Sequence, residues 1–98
     1  FSIPLAIGYL RIGEEQKGLE IVNAIRNNSR EDLTYFFSFR GKDLTDISQQ
    51  VQKSIFTLHH LSDRLNKAGF TQPGAEVETD MESWHDLYMQ NLYDPRGQ

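Results

Sequence analysis

The chain has 98 residues, of which 38% are hydrophobic and 24% charged, and its formal net charge is −4. This length suits one modest core, so we expect a single domain over residues 1–98. The composition is typical of a soluble globular protein and argues against disorder. The absence of cysteine excludes disulfides and thiolate metal sites. It does not identify a compartment, although we expect a cytoplasmic one.

Charge is distributed unevenly along the chain. Residues 1–69 hold nine Lys or Arg against eight Asp or Glu, whereas residues 70–98 hold one against six. Nucleic acid is therefore not an expected partner, because binding phosphates needs a concentrated positive surface. A protein with a basic surface would complement the acidic C-terminal segment.

Residues 1–10 are apolar, but ten residues are about half of what a helix needs to cross a bilayer. The segment therefore predicts a buried first helix or strand, and Ser2 and Pro4 could begin a short helix that ends before Gly13. The alternative is the end of a removed membrane or signal segment. Only in that case do we expect a membrane association.

Helix-terminal residues divide the next part of the chain into two predicted helices. Glu14 would lie in the first turn of a helix that runs to about Arg26, with Asn27 and Asn28 as its break. Ser29 is a favourable N-cap for a second helix, which would continue to Arg40 and end at Gly41.

The longest predicted helix covers residues 45–67 and ends at Gly69. Its apolar residues recur at helical steps of three and four, which predicts one buried face: Ile47, Val51, Ile55, Leu58, Leu61 and Leu65. Pro73 and Gly74 then predict an internal loop over residues 70–79. Thr79 and Glu82 have capping-box spacing for a final helix over residues 80–93, followed by a C-terminal tail at 94–98.

These elements predict a mainly α fold, a small bundle of four or five helices. An α+β alternative remains, because Leu33, Tyr35, Phe37 and Phe39 also alternate as in a strand. In that alternative, residues 3–12, 19–25 and 33–39 form a small antiparallel sheet packed on helices 45–67 and 80–93. The capping pattern favours the helical interpretation.

Several aromatic residues are expected to lie away from the predicted core and are candidate partner-binding residues. Phe56 and His60 are one turn apart, roughly opposite the apolar face of their helix. Tyr35 and Phe39 are placed similarly on the preceding helix. Such residues either contact a further helix of the same fold or form an intermolecular surface.

The final helix carries two more candidate partner-binding residues, Trp84 and Tyr88. They belong to an apolar face with Met81 and Leu92, on an acidic background. This face could lie in a groove of another protein, although packing within the chain is the favoured interpretation because the remaining core would otherwise be thin.

No motif predicts catalysis. The glycines are isolated and form no phosphate-binding loop, and no serine lies in a nucleophile-elbow sequence. We therefore expect a non-catalytic protein–protein interaction or regulatory module without a cofactor or metal, which self-associates or belongs to a larger assembly. The alternative is a helical histidine phosphotransfer or metal-binding domain that uses His60 or His85.

Overall fold

The computed structural model describes residues 2–37 and 44–93, with only the backbone described for 44–47 and 91–93. Within these ranges the chain forms four helices and no strand: α1 (Ile3–Arg11), α2 (Glu15–Phe37), α3 (Leu44–Lys67) and α4 (Thr71–Tyr93). The mainly α prediction is confirmed. The α+β alternative is wrong, because residues 3–12 and 19–25 and the described part of 33–39 are not strands. Phe39 and Gly41 lie outside the described residues, as does the predicted tail at 94–98.

Helix α1 begins as its sequence predicts. Ser2 is the N-cap and its hydroxyl accepts a hydrogen bond from the Leu5 amide, while Pro4 occupies the first turn. Pro is tolerated there because the first amides of a helix have no intrahelical acceptor. Gly13 then takes a positive φ of 85°, which allows the chain to reverse into α2.

Helix α2 is continuous, so the predicted break at Asn27 and Asn28 and the N-cap role of Ser29 are wrong. Val22, Ile25, Ser29 and Leu33 are all buried, and their spacing places them on one helix face. Asn disfavours a helix by only about 0.7 kcal/mol relative to Ala. Burial of a single Leu or Ile side chain contributes about 1.5–3 kcal/mol, so the continuous buried face dominates.

Helix α3 has the predicted core face. Val51, Ile55, Leu58, Leu61 and Leu65 are all buried, and the side chain of Ile47, the sixth predicted residue, lies outside the described part of the chain. At its C-terminus, the Phe70 amide donates to the Leu65 carbonyl at 2.8 Å, and Gly69 has a φ of 92°. These contacts form the C-terminal motif that glycine favours, and they reverse the chain into α4.

The predicted loop at 70–79 is wrong, because α4 begins at Thr71. Pro73 is the third residue of the helix, where its missing N–H costs no hydrogen bond, and the Gly74 amide already donates to the Phe70 carbonyl at 3.0 Å. Gly74 is buried, and a Cβ there would collide with the Asn66 side chain on α3. Thr79 is not an N-cap, since its hydroxyl donates to the Ala75 carbonyl within the helix.

The four helices pack in an up-down-up-down arrangement around one core. Helix α1 contacts α2 closely at Gly18, where an added Cβ would lie 2.6 Å from Leu10 Cγ and 3.1 Å from the Ala6 carbonyl oxygen. Helices α2 and α4 are joined by Arg26, whose Nε lies 2.7 Å from Asp80 Oδ2 and whose Nη1 lies 3.4 Å from Glu76 Oε2.

The hydrogen bond to Asp80 is the main cause of a raised pKa for Arg26, and the negative charges of Asp80 and Glu76 add to it, while partial burial acts in the opposite direction. When folding raises the pKa of a cationic group, the charged group stabilises the fold at every pH below its pKa in the unfolded chain. The guanidinium therefore stays charged wherever the protein is studied.

In the described part of the chain, no helix has the length and apolar character needed to cross a membrane.

We expect Gly18→Ala to lower the free energy of unfolding by about 1–3 kcal/mol, because α1 must move away from α2. Gly8→Ala is the matched control on α1, since a Cβ there would meet nothing within 4 Å. That substitution should raise the free energy of unfolding by about 0.5–1 kcal/mol. Urea unfolding followed by circular dichroism measures both changes, and equal effects of the two substitutions would contradict the close α1–α2 contact.

Removing the α2–α4 ion pair with Arg26→Gln should lower the free energy of unfolding by about 1 kcal/mol. The exposed Lys67–Asp63 pair, 3.1 Å apart within α3, provides the control. Lys67→Gln should change stability by less than about 0.5 kcal/mol, because solvent screens exposed pairs. A larger loss from Lys67→Gln than from Arg26→Gln in the same urea titrations would contradict the assigned role of Arg26.

Candidate functional site

An open groove lies between α2 and α3, immediately beyond the N-terminal end of α1. Helix α1 has nine residues and is therefore about 14 Å long, whereas α2 and α3 are each more than twice as long. Among the described residues, no helix covers the side of α2 and α3 that continues beyond α1, which leaves a groove of about 640 Å³. This α2–α3 groove is lined by Ser2, Ile3, Pro4, Ile25, Asn28, Ser29, Asp32, Phe36, Gln50, Lys53, Ser54, Thr57 and His60.

The groove has mixed chemistry. Ile25 and Phe36 contribute apolar surface, α2 contributes Asp32, and α3 contributes Lys53. Neither charge forms an ion pair among the described residues. A ligand in the groove would therefore meet an acidic wall, a basic wall and an apolar strip between them.

Ser29 gives the groove a polar group without a protein partner. Its side chain is only 5% exposed and lines the groove, yet its hydroxyl forms no hydrogen bond with the described residues. No fully buried side-chain polar atom in this part of the chain is unpaired, so the hydroxyl must reach solvent through the groove. An occupant that excludes this solvent would have to supply a hydrogen bond, because an unpaired buried hydroxyl costs about 1–3 kcal/mol.

Phe56, His59 and His60 form an exposed aromatic patch on α3. The Phe56 ring is parallel to the His60 ring, with 6.4 Å between centroids and 3° between planes, and it is tilted by 52° against His59. Phe56 is nevertheless 67% exposed. The patch is therefore an exposed surface on which one phenyl ring and two imidazole rings lie close together.

The position of the patch follows from the helix period. Rotation by about 100° per residue turns Phe56 away from the core face that contains Val51, Ile55 and Leu58. Helix α4 contacts another side of α3, through Tyr88 and Ser48. His60 belongs both to the patch and to the groove lining, so the patch lies beside the groove on the α3 side.

Of the six predicted partner-binding residues, Phe56 and His60 are brought together at this site. Tyr35 is also on the surface, 60% exposed, with its ring edge-on to Phe36 at 5.8 Å. Phe36 lines the groove, so Tyr35 lies next to a groove residue. Phe39 lies outside the described residues.

Trp84 and Tyr88 instead pack inside the bundle. The Trp84 ring stacks on Phe37 of α2 with 6.0 Å between centroids. The Tyr88 hydroxyl is hydrogen-bonded to the Ser48 hydroxyl and accepts from Gln52 Nε2 at 3.0 Å. Both side chains are only partly exposed and contact the core, so they are not part of the candidate surface.

The outward face of α4 is acidic. Glu78, Glu82 and Asp86 are exposed at four-residue intervals, and they form no ion pair within the described part of the chain. Like charges at this spacing repel by about 0.2–0.5 kcal/mol per pair. A basic partner surface would relieve this repulsion.

The histidines do not assemble a metal site with other described residues. No group of three His, Cys, Asp or Glu side chains in the described ranges has the geometry to hold a metal ion. His85 lies exposed on α4, and His60 contacts Phe56.

The sequence interpretation missed the α2–α3 groove. Its lining residues on α2 lie on both sides of the falsely predicted break at Asn27 and Asn28. A signal was present in the spacing of Ile25, Ser29, Asp32 and Phe36, which continues at helical steps well beyond the length of a nine-residue first helix. It becomes visible only when α2 is treated as one helix.

The fold and surface together define a small helical bundle with an aromatic patch beside an open groove. Comparison with protein-family models, with curated proteins and with solved structures finds no match to this chain. Function is therefore inferred from the geometry of the site.

We expect Phe56→Asp to leave the fold intact, because the side chain is 67% exposed and is not part of the buried core. The free energy of unfolding should change by less than about 1 kcal/mol. Leu58→Ala, two residues away at a buried position, should lower it by about 2–5 kcal/mol. Thermal and urea unfolding would check both values. If the Phe56→Asp variant no longer unfolded cooperatively, Phe56 would belong to the core.

Proposed function

We propose that this chain is a non-catalytic protein–protein interaction module, which self-associates or joins a larger assembly through the aromatic patch and the adjoining α2–α3 groove. The observation that carries the proposal is the exposure of the Phe56 ring, which lies beside the rings of His59 and His60 on the surface of α3. Exposed aromatic side chains of this kind are enriched at the centres of interfaces.

The groove supports the proposal by adding depth to the patch. It extends along α3 from Gln50 to His60, which corresponds to about 15 Å of helix. That length accommodates two to three turns of a partner helix, and helices bind other proteins by placing their apolar face in such grooves. A partner that fills the groove would contact His60 and thereby reach Phe56.

The acidic face of α4 favours a partner with a basic region. Opposite charge on two partners increases the association rate more than it increases affinity, even where the charges lie outside the contacting surfaces. The same acidic face opposes binding of a nucleic acid backbone. Association with a basic protein is therefore expected to slow as salt concentration increases, whereas association of two copies of this chain, each with a net charge of −4, is not.

The test is photo-cross-linking from position 56. A photoreactive phenylalanine analogue replaces Phe56 in one variant and Asn23, an exposed residue on α2, in the control variant. We expect covalent adducts with protein chains at position 56, either with a second copy or with another protein, and at least about tenfold fewer at position 23, which corresponds to about 1.4 kcal/mol.

Equal yields at the two positions, or no adduct at either, would refute an interaction surface at the patch. The rival class, histidine phosphotransfer or metal binding through His60 or His85, has a separate readout. NMR shifts of the histidine rings on addition of acetyl phosphate or zinc would then change at one of those residues, and such a site-specific change would favour the rival function.

A further inference from the structure

The middle of the α2–α3 groove contains two serine hydroxyls that have no hydrogen-bond partner among the described residues. Ser29 on α2 is 5% exposed, Ser54 on α3 is partly buried, and both line the groove. A hydroxyl inside a helix can donate to a carbonyl of the preceding turn, as Thr57 does to the Lys53 carbonyl in the same groove. Ser29 and Ser54 do not form this bond, so both hydroxyls are available to an occupant of the groove.

Asp32 and Lys53 give the two walls of the groove opposite charges. Asp32 lies one helical turn from Ser29 on α2, and Lys53 directly precedes Ser54 on α3, so the charges border the part of the groove that holds the hydroxyls. Both side chains are exposed, and neither forms an ion pair with another described residue. Each charge can therefore pair with a group of an occupant.

Apolar side chains lie at both ends of the groove. Phe36 lies near the end of α2, whereas Ile25 lies eleven residues earlier on the same helix and lines the groove together with Ile3 of α1. Eleven residues correspond to three helical turns and about 16 Å. Along its length, the groove is therefore apolar, then polar with two opposite charges, then apolar again.

We infer that the groove binds a helix of a different protein. The side of that helix that faces the groove has apolar residues about three turns apart and a hydroxyl or carboxamide side chain between them. Its edge toward α2 carries a cation that pairs with Asp32, and its edge toward α3 carries an anion that pairs with Lys53. This inference rests on the proposed interaction function and specifies the chemistry of the partner.

Each part of this pattern answers a group in the groove. A hydroxyl or carboxamide can both donate and accept, so it satisfies the Ser29 hydroxyl in either role. An apolar side chain at that point would leave the hydroxyl unpaired once solvent is excluded. Oppositely charged walls disfavour a helix with like charges on both edges, because one edge would then face a like charge.

Helices α1 and α4 of a second copy do not supply this pattern. Helix α4 contains no Lys or Arg, so its outer face has no cation for Asp32. The only charged residue of α1 is Arg11, so α1 has no anion for Lys53. Two copies, each with a net charge of −4, also repel each other. A helix of another protein is therefore the better occupant.

The charge pattern can be tested by selecting helices from a displayed library. Peptides of about 15 residues, long enough to be helical when bound, are displayed on phage. They are selected separately against the wild-type chain, Lys53→Glu and the matched control Lys67→Glu. Lys67 lies on α3 outside the groove lining, and the two substitutions change the net charge equally. A difference between these two variants therefore reports on the groove and not on the overall charge.

We expect the wild-type chain and Lys67→Glu to select helices with one basic and one acidic edge. Lys53→Glu should instead select helices with two basic edges, because its groove has carboxylates on both walls. The tightest wild-type peptide should bind Lys53→Glu at least about tenfold more weakly than Lys67→Glu in fluorescence polarisation, which corresponds to about 1.4 kcal/mol.

Ser29→Ala provides a second measurement that does not depend on charge. It should weaken binding of the selected peptide about tenfold, because the central polar group of the peptide then lacks a partner. The same peptide with Ala at its central position should bind Ser29→Ala more tightly than it binds the wild-type chain. Circular dichroism should show that the variant is folded, because Ala has a higher helix propensity than Ser.

The inference would be overturned by equal losses of affinity in Lys53→Glu and Lys67→Glu, or by an unchanged affinity in Ser29→Ala. Selection of no helix by the wild-type chain, or of uniformly basic helices, would also contradict it, and the latter would indicate binding to the acidic face of α4. A dimer that Lys53→Glu dissociates in sedimentation velocity would assign the groove to a second copy instead. None of these results affects the proposed function while position 56 still gives specific adducts, whereas loss of those adducts would refute that function.

Discussion

A buried face that continues along α2 from Val22 to Leu33 holds Asn27 and Asn28 inside a helix, and the rest of the structure depends on this continuity. The unbroken helix places Arg26 beside Asp80 and Phe37 against Trp84, so α2 is joined to α4 at two levels. It also carries α2 well beyond the end of the short helix α1. The groove is a consequence of this difference in length.

The early start of α4 has a comparable effect on the opposite side of the molecule. Because Pro73 and Gly74 belong to the first turn, α4 is long enough to accompany α3 from Asn66 to Ser48. Its apolar residues are then used inside the bundle, as the contacts of Trp84 and Tyr88 show. What α4 presents to solvent is its acidic face, so the two candidate surfaces of the molecule differ in character: one aromatic and one acidic.

The sequence predicts the structure correctly where a local pattern and the burial of apolar side chains favour the same element. The core face of α3, the start of α1 at Ser2 and Pro4, and the chain reversals at Gly13 and Gly69 were all predictable. It failed where local signals opposed tertiary contacts. Two pairs of residues favour a helix break locally: Asn27 with Asn28, and Pro73 with Gly74. The helix propensity lost at the two Asn residues is small compared with the free energy gained by burying the apolar face of α2. Pro73 costs no hydrogen bond, because it lies in the first turn of α4.

The candidate site likewise has a part that the sequence predicts and a part that it does not. The helix period alone places Phe56 and His60 away from the core, and the structure brings them together. The period equally placed Trp84 and Tyr88 on an apolar face, but whether that face packs within the chain depends on where α4 begins. The groove could not be predicted, because it is defined by the relative lengths of three helices and by the position of α1 on two of them.

His60 connects the patch to the groove, because its side chain belongs to both surfaces. Its ring lines the groove on one side and lies parallel to Phe56 on the other. A helix that entered the groove would remove water from around the imidazole, which lies next to the ring of Phe56. An occupant of the groove and a partner on the patch would both contact this imidazole, so under the proposed function the groove and the patch form one continuous binding surface.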